Sequence, residues 1–195
     1  MNKDEYFKDL QSESSDTYIK DTIGYNDGKT SHISNDAPNT EELMIHEHVH
    51  KLSSNDDDII LRRGISIRNK LVQEDFSDLQ VNEALTAYFT KQIIGKKSPA
   101  KPTNIYLDNM ERMERMEEIF GKELYKKGYF QNKPELIIDK YENVMGKGKW
   151  EKFSKVFDDS LDFENLTQNQ RNKADRLANK LVDKFINKST KRELY

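Results

Sequence analysis

Thr40-Glu41-Glu42-Leu43-Met44-Ile45-His46-Glu47-His48-Val49-His50-Lys51-Leu52 is the stretch on which the reading of the chain turns. Asn39 or Thr40 can cap a helix here, and Glu41 and Glu42 fall in a first turn where the helix dipole favours acids. Leu43, Ile45, Val49 and Leu52 give the segment its apolar residues, and Ser53-Ser54-Asn55-Asp56 closes it. Three of the four histidines in the chain fall inside this predicted helix. His46 and His50 stand four residues apart, so they share a face and can offer two imidazoles to one metal ion. Glu47 follows the first of them and projects beside the metal position. His48 lies about 200° around the helix from His46, so it is expected to face away.

Two histidines do not complete a zinc site, because a catalytic zinc takes three protein ligands and keeps one position open. No histidine follows His50, which removes a third imidazole from the downstream chain. The metzincin continuation is excluded as well, since Ser53 and Asp56 stand where it requires glycine and histidine. A glutamate on a following helix is the remaining well-defined option. Asn82-Glu83-Ala84-Leu85-Thr86-Ala87-Tyr88, at the head of a second predicted helix over about 81–94, supplies it in Glu83. Asp75 and Asp78 are weaker alternatives because they fall in a predicted loop.

His46-Glu47-x-x-His50 followed by Asn82-Glu83-Ala84 resembles the active-site core of the gluzincin zinc metallopeptidases, over roughly residues 17–94. The resemblance implies a bound Zn2+ held by His46, His50 and Glu83. It also implies Glu47 as the general base on a zinc-activated water, and Asn82 as the group that orients the second histidine through its free ring nitrogen. The implied substrate is a protein or peptide, paired in extended form with an edge strand near 30–34. The chain departs from the family at Ala87, where an aspartate partner for the first histidine is expected. It also lacks the later histidine that steadies the oxyanion in some members. Tyr88, on the ligand helix, and Tyr106, beyond the linker, are the candidates for that work, with Arg62 or Arg63 behind them.

Outward from these helices the chain divides into three stretches. Residues 1–16 end in a polar, acidic run and are expected to be weakly ordered. Residues 17–100 form the expected catalytic core. Asn26-Asp27-Gly28 marks a hairpin turn between short strands, and Ile59 to Asn69 reads as two strands around Gly64. Gly95-Lys96-Lys97-Ser98-Pro99-Ala100-Lys101-Pro102 is the clearest linker. Beyond it, residues 101–195 read as helical. Leu107, Met110, Met113, Met116 and Phe120 recur every three or four positions, and further helices are expected over about 134–145, 150–161 and 168–188. The expected fold is α+β and mostly helical: a small zincin-like core with a short antiparallel sheet and an active-site helix, then a C-terminal helical bundle.

Composition narrows the function classes. With 32 Lys+Arg against 35 Asp+Glu in 195 residues, the basic footprint of a nucleic-acid binder is absent. There is no cysteine, so thiolate nucleophiles, disulfides and Cys-based zinc fingers are excluded. No run is long enough to cross a bilayer, and Met1 to Glu5 lead into no apolar signal segment, so a soluble protein is expected, cytoplasmic or exported by another route. Two functions from different classes fit this sequence. One is a zinc metallopeptidase. The other is a non-catalytic helical interaction protein with a structural or vestigial zinc site, binding through the methionine stripe near Met110. Oligomeric state leaves no mark in the sequence.

Overall fold

A computed structural model describes residues 24–26, 31–33, 40–56, 60–69, 78–95, 107–163 and 165–193. The expected N-terminal segment 1–16, the linker beyond Gly95, Asp75 and Tyr106 lie outside these residues. A short hairpin, β1 (Gly24–Asn26) and β2 (Ser31–Ile33), runs antiparallel with Tyr25 opposite His32. It lies alongside α1 (Thr40–Leu52). The chain leaves α1 at Ser53 and Ser54, whose hydroxyls both donate to the His50 carbonyl at 2.9 and 2.7 Å. The same carbonyl also accepts the Ser53 amide at 3.2 Å, so the residues leaving α1 cap its last turn.

The strand β3 (Ser54–Asp56) follows at once, where the sequence suggests only a helix end, and pairs with β4 (Ile60–Arg63). The third strand, β5 (Ser66–Asn69), completes an antiparallel sheet in the order β3-β4-β5. Where one short antiparallel sheet is expected, the described residues form two, the hairpin and this meander. Their strands are three or four residues long, too short for either sheet to stand without helices packed against it.

The centre of the molecule is α2 (Leu79–Ile94), which is buried without a break from Val81 to Thr90 apart from a half-buried Glu83. A helix buried on nearly all sides must have neighbours on nearly all sides. Here they are α1, α3 (Leu107–Phe120) and α6 (Lys149–Leu161). Between α3 and α6 come α4 (Lys122–Phe130) and α5 (Glu135–Met145), and the long α7 (Gln168–Glu193) packs across α6 and α3. The described residues are mostly helical, as expected, and one apolar cluster runs through them from Val49 and Ile65 to Phe185. No helix among them is long and apolar enough to cross a membrane.

Two bonds tie the head of α2 to α6. The Trp150 indole N–H donates to Asp78 at 2.8 Å, and Asp158 accepts the Gln80 amide at 3.1 Å. Burial pushes the Asp158 carboxyl above its ordinary range, and the Gln80 amide only partly offsets that. Because α2 carries Glu83 one turn further on, this anchoring by the C-terminal helices fixes where that carboxylate sits. Further out, buried Arg112 of α3 pairs with Asp175 of α7 and lies over the Phe157 ring.

The β4–β5 turn is the tightest fit near α2. Gly64 opens the two-residue turn with φ +59°, a conformation that costs a side chain about 1 kcal/mol or more. A Cβ placed there would lie 2.3 Å from Asn82 Oδ1 and 2.3 Å from the Tyr129 ring. The Asn82 oxygen cannot retreat, because it accepts the Ile65 amide at 3.1 Å. Gly64→Ala is therefore expected to destabilise the protein by about 3 kcal/mol or more, a fall in Tm of roughly 6–12 °C. Thermal denaturation followed by circular dichroism checks this, and an unchanged Tm would mean that the turn is not packed on α2.

Candidate metal centre

The buried face of α1 is polar: His46, Glu47 and His50 are each less than one-tenth exposed, with Val49 beside them. A helix does not place three ionisable groups inside without partners for them. The partner comes from α2. Glu83 Oε2 lies 3.2 Å from His46 Nε2 and 3.2 Å from His50 Nε2, and the two imidazoles meet edge to face with ring centres 4.8 Å apart. The three groups converge closely enough to hold a metal ion. A tetrahedral zinc with bonds of about 2.0–2.1 Å spaces its ligands roughly 3.3 Å apart; the two Glu83–imidazole separations match that spacing, and the three ligand atoms all lie within 4.8 Å of one another. The donor set, two nitrogens and one carboxylate oxygen, also matches zinc chemistry.

Burial raises the Glu83 carboxyl, but His50 by its charge and both histidines by hydrogen bonding more than offset it. The group is held well below the ordinary carboxylate range and is ionised at neutral pH. Glu47 is 5% exposed and comes from the same turn of α1 as the two histidines. Its charge and that of Glu83 both act to raise the Tyr129 phenol. His48 faces outward, as its position on the helix predicts, and its Nδ1 bonds the Met44 carbonyl at 2.7 Å.

Other expected residues sit away from the cluster or do different work. Asn82, expected to orient His50, holds the β4–β5 turn, its oxygen accepting the Ile65 amide at 3.1 Å. Tyr88 is fully buried against Phe89 and Tyr125, and burial first, then the Glu117 carboxylate beside it, pushes its hydroxyl up. On a 3.6-residue helix it points about 140° away from Glu83, so it is a core residue rather than an oxyanion donor. Arg62 donates to the Asn132 carbonyl at 3.3 Å. Met110, Met113 and Met116 are at most 3% exposed, which removes the methionine stripe as a binding surface. Ile93, near the end of α2, is exposed.

The residues that do back the cluster were not singled out by sequence. Thr86 Oγ1 lies 3.4 Å from His50 Nδ1 and is itself hydrogen-bonded to the Tyr129 hydroxyl. Both side chains are completely buried. Burial pushes the Tyr129 phenol up; hydrogen bonds with Ser53 and Thr86 oppose this, and the charges of Glu83 and Glu47 reinforce it, so it stays protonated. A threonine three positions after the ligand glutamate lies within one turn of it, and that spacing is the one sequence signal that points to Thr86. Nothing local points to Tyr129, which comes from α4. Comparisons with protein-family models, with curated proteins and with solved structures found no match to this chain.

Proposed function

We propose that this chain is a zinc-dependent metallopeptidase of the gluzincin kind, built on a small zincin-like core. The observation that carries the proposal is the convergence of His46 Nε2, His50 Nε2 and Glu83 Oε2, with buried Glu47 next to His46 on α1. His46, His50 and Glu83 would hold the ion. Bound zinc supplies Lewis acidity, bringing the pKa of a water towards neutrality and polarising a carbonyl.

The remaining work falls to the chain. Glu47, on the same turn as the ligands, would accept the proton of the attacking water and return it to the leaving amine. Among the described residues the cluster offers three ligands, the number that a catalytic zinc takes. A closed structural site would have no use for a carboxylate where Glu47 stands. The methionine stripe, the surface on which an interaction protein would rely, is buried in the core.

Two measurements on the purified protein test the proposal. Elemental analysis is expected to find one zinc per chain, and an unfolded protein substrate is expected to be cleaved in a way that a chelator stops and zinc restores. Absence of zinc after reconstitution would refute the metal site. Stoichiometric zinc without hydrolysis of any unfolded substrate would refute the peptidase.

A further inference from the structure

We propose that the outward face of α7 is a docking surface for duplex nucleic acid, held through its phosphate backbone without regard to base sequence. The surface shares no residue with the metal centre, so its test does not depend on the metal reading.

The periodicity of α7 sets the face. Ala174, Ala178, Val182, Phe185 and Ser189 are buried and turn one side of the helix to the core. On 3.6-residue geometry Lys173, Arg176, Lys180, Lys184, Lys188 and Lys191 fall within an arc of about 120°, centred about 140° round from that side. All six are exposed. From Lys173 to Lys191 they run about 27 Å along the helix axis. No acidic residue of α7 lies in the arc. Asp175 and Asp183 are drawn away to Arg112 and Arg115 of α3. Among the described residues none of the six cations has an ion-pair partner. Lys149 and Lys152 of α6 line the same small hollow as Lys184, over Tyr141, Met145 and Leu181, so the positive surface continues onto α6 with no acid in that lining.

An ordinary solvated helix face does not account for this row. Arg176 and Lys180, Lys180 and Lys184, and Lys184 and Lys188 are like charges four residues apart, a spacing that disfavours the helix. Elsewhere the chain interleaves signs at such spacings, as in Lys155 and Asp159 of α6 or Glu123 and Lys126 of α4. The dipole at the C-terminus of α7 favours Lys191, but its effect fades within the last turn and leaves Arg176, Lys180 and Lys184 unexplained. The near balance of 32 Lys+Arg against 35 Asp+Glu over the whole chain conceals this segregation. The face also selects its partner. No aromatic ring lies in the arc to stack on unpaired bases. No large apolar side chain of α7 is exposed to enter a lipid headgroup layer. A protein partner would need an unbroken acidic row of matching length. Duplex nucleic acid carries one negative charge per about 1.7 Å along its whole axis, and cations that reach phosphates read no sequence.

The test is fluorescence anisotropy of a labelled DNA duplex of about 20 base pairs and arbitrary sequence, titrated with the full chain between about 50 and 200 mM salt. The wild type is expected to bind, with log K falling by roughly four to five per decade of salt, as about five phosphate contacts require. Lys180→Gln, Lys184→Gln and Lys188→Gln combined are expected to weaken binding at about 0.1 M salt by roughly 10²- to 10³-fold and to reduce the slope by about three. Arg176→Gln with Lys191→Gln, which changes the same face near its two ends, is expected to reduce the slope by about two. Lys122→Gln, Lys126→Gln and Lys127→Gln combined remove the same charge from α4 and are expected to leave binding near wild type. Far-ultraviolet circular dichroism checks that each variant keeps its helices. No duplex binding by the wild type at about 50 mM salt overturns the proposal. Equal losses in the α7 and α4 variants overturn it too, since they reduce the effect to net charge. Tighter binding to phosphatidylserine vesicles would assign the face to a membrane instead, and tighter binding to poly-glutamate would assign it to an acidic protein.

Discussion

Glu47→Gln is expected to bind zinc as tightly as the wild type and to lose peptide hydrolysis by about 10²- to 10⁴-fold, the usual contribution of a general base. Glutamine keeps the length and planarity of the side chain but cannot take a proton from water. Glu47 is not among the three converging ligands, so the metal should not register the change. The buried position of Glu47 makes the substitution more discriminating. An amide at a buried site is no harder to desolvate than a carboxylate, and the thermal melt shows whether the variant folds as the wild type does. Zinc content, a thermal melt and a cleavage assay on the same preparation separate the outcomes. Retained zinc with retained activity would remove Glu47 from the chemistry and with it the proposed mechanism.

Glu83→Ala has the second large expected effect, this time on the metal. Replacing a residue that only orients a ligand costs about 10- to 100-fold in metal affinity; removing a ligand outright is expected to exceed that range. The loss should not come from a broken helix, because alanine is the best helix former and the neighbours of Glu83 in α2 are already buried. Zinc at about 100 times its Kd stabilises a folded protein by about 2.7 kcal/mol. For a chain of this size that raises the wild-type Tm by roughly 5–10 °C. The Glu83→Ala protein is expected to show no such rise while keeping its helical far-ultraviolet signal. A full zinc-induced rise in the variant would mean that the ion sits elsewhere, and would also undo the assignment of His46 and His50.

The parts of this site that could be read in advance are those with a local cause. His46 and His50 are paired by helix periodicity alone, and the same periodicity turned His48 outward. Glu83 was found by pattern, and the structure brings it to the two histidines across a separation of 33 and 37 residues. The tyrosines show the opposite case. Tyr88 was attractive because it sits on the ligand helix, but its position in the turn sends it into the core. Tyr129, which hydrogen-bonds Thr86 behind the cluster, sits on a nine-residue helix beside Gly128. That glycine is there because Ile137 of α5 presses where its side chain would be, 2.6 Å from a Cβ at that position.

Asn82 and Thr86 differ for the same reason. Both stand on α2 within one turn of Glu83, and sequence alone does not say which of them meets an imidazole. In the folded chain the β4–β5 turn brings the Ile65 amide to the Asn82 oxygen, and Thr86 Oγ1 lies 3.4 Å from His50 Nδ1.

From residue order alone come the two helices that carry the ligands, the shared face of His46 and His50, and the mostly helical character of the remainder. These follow from periodicity, capping and dipole preferences that act over one or two turns. The division into two small sheets, the anchoring of α2 by Trp150 and Asp158, and the chain of contacts from His50 through Thr86 to Tyr129 were decided only in three dimensions. Each of these joins residues distant in the chain. Their pairing is selected by which buried donors and acceptors can be satisfied together once the core has closed around α2.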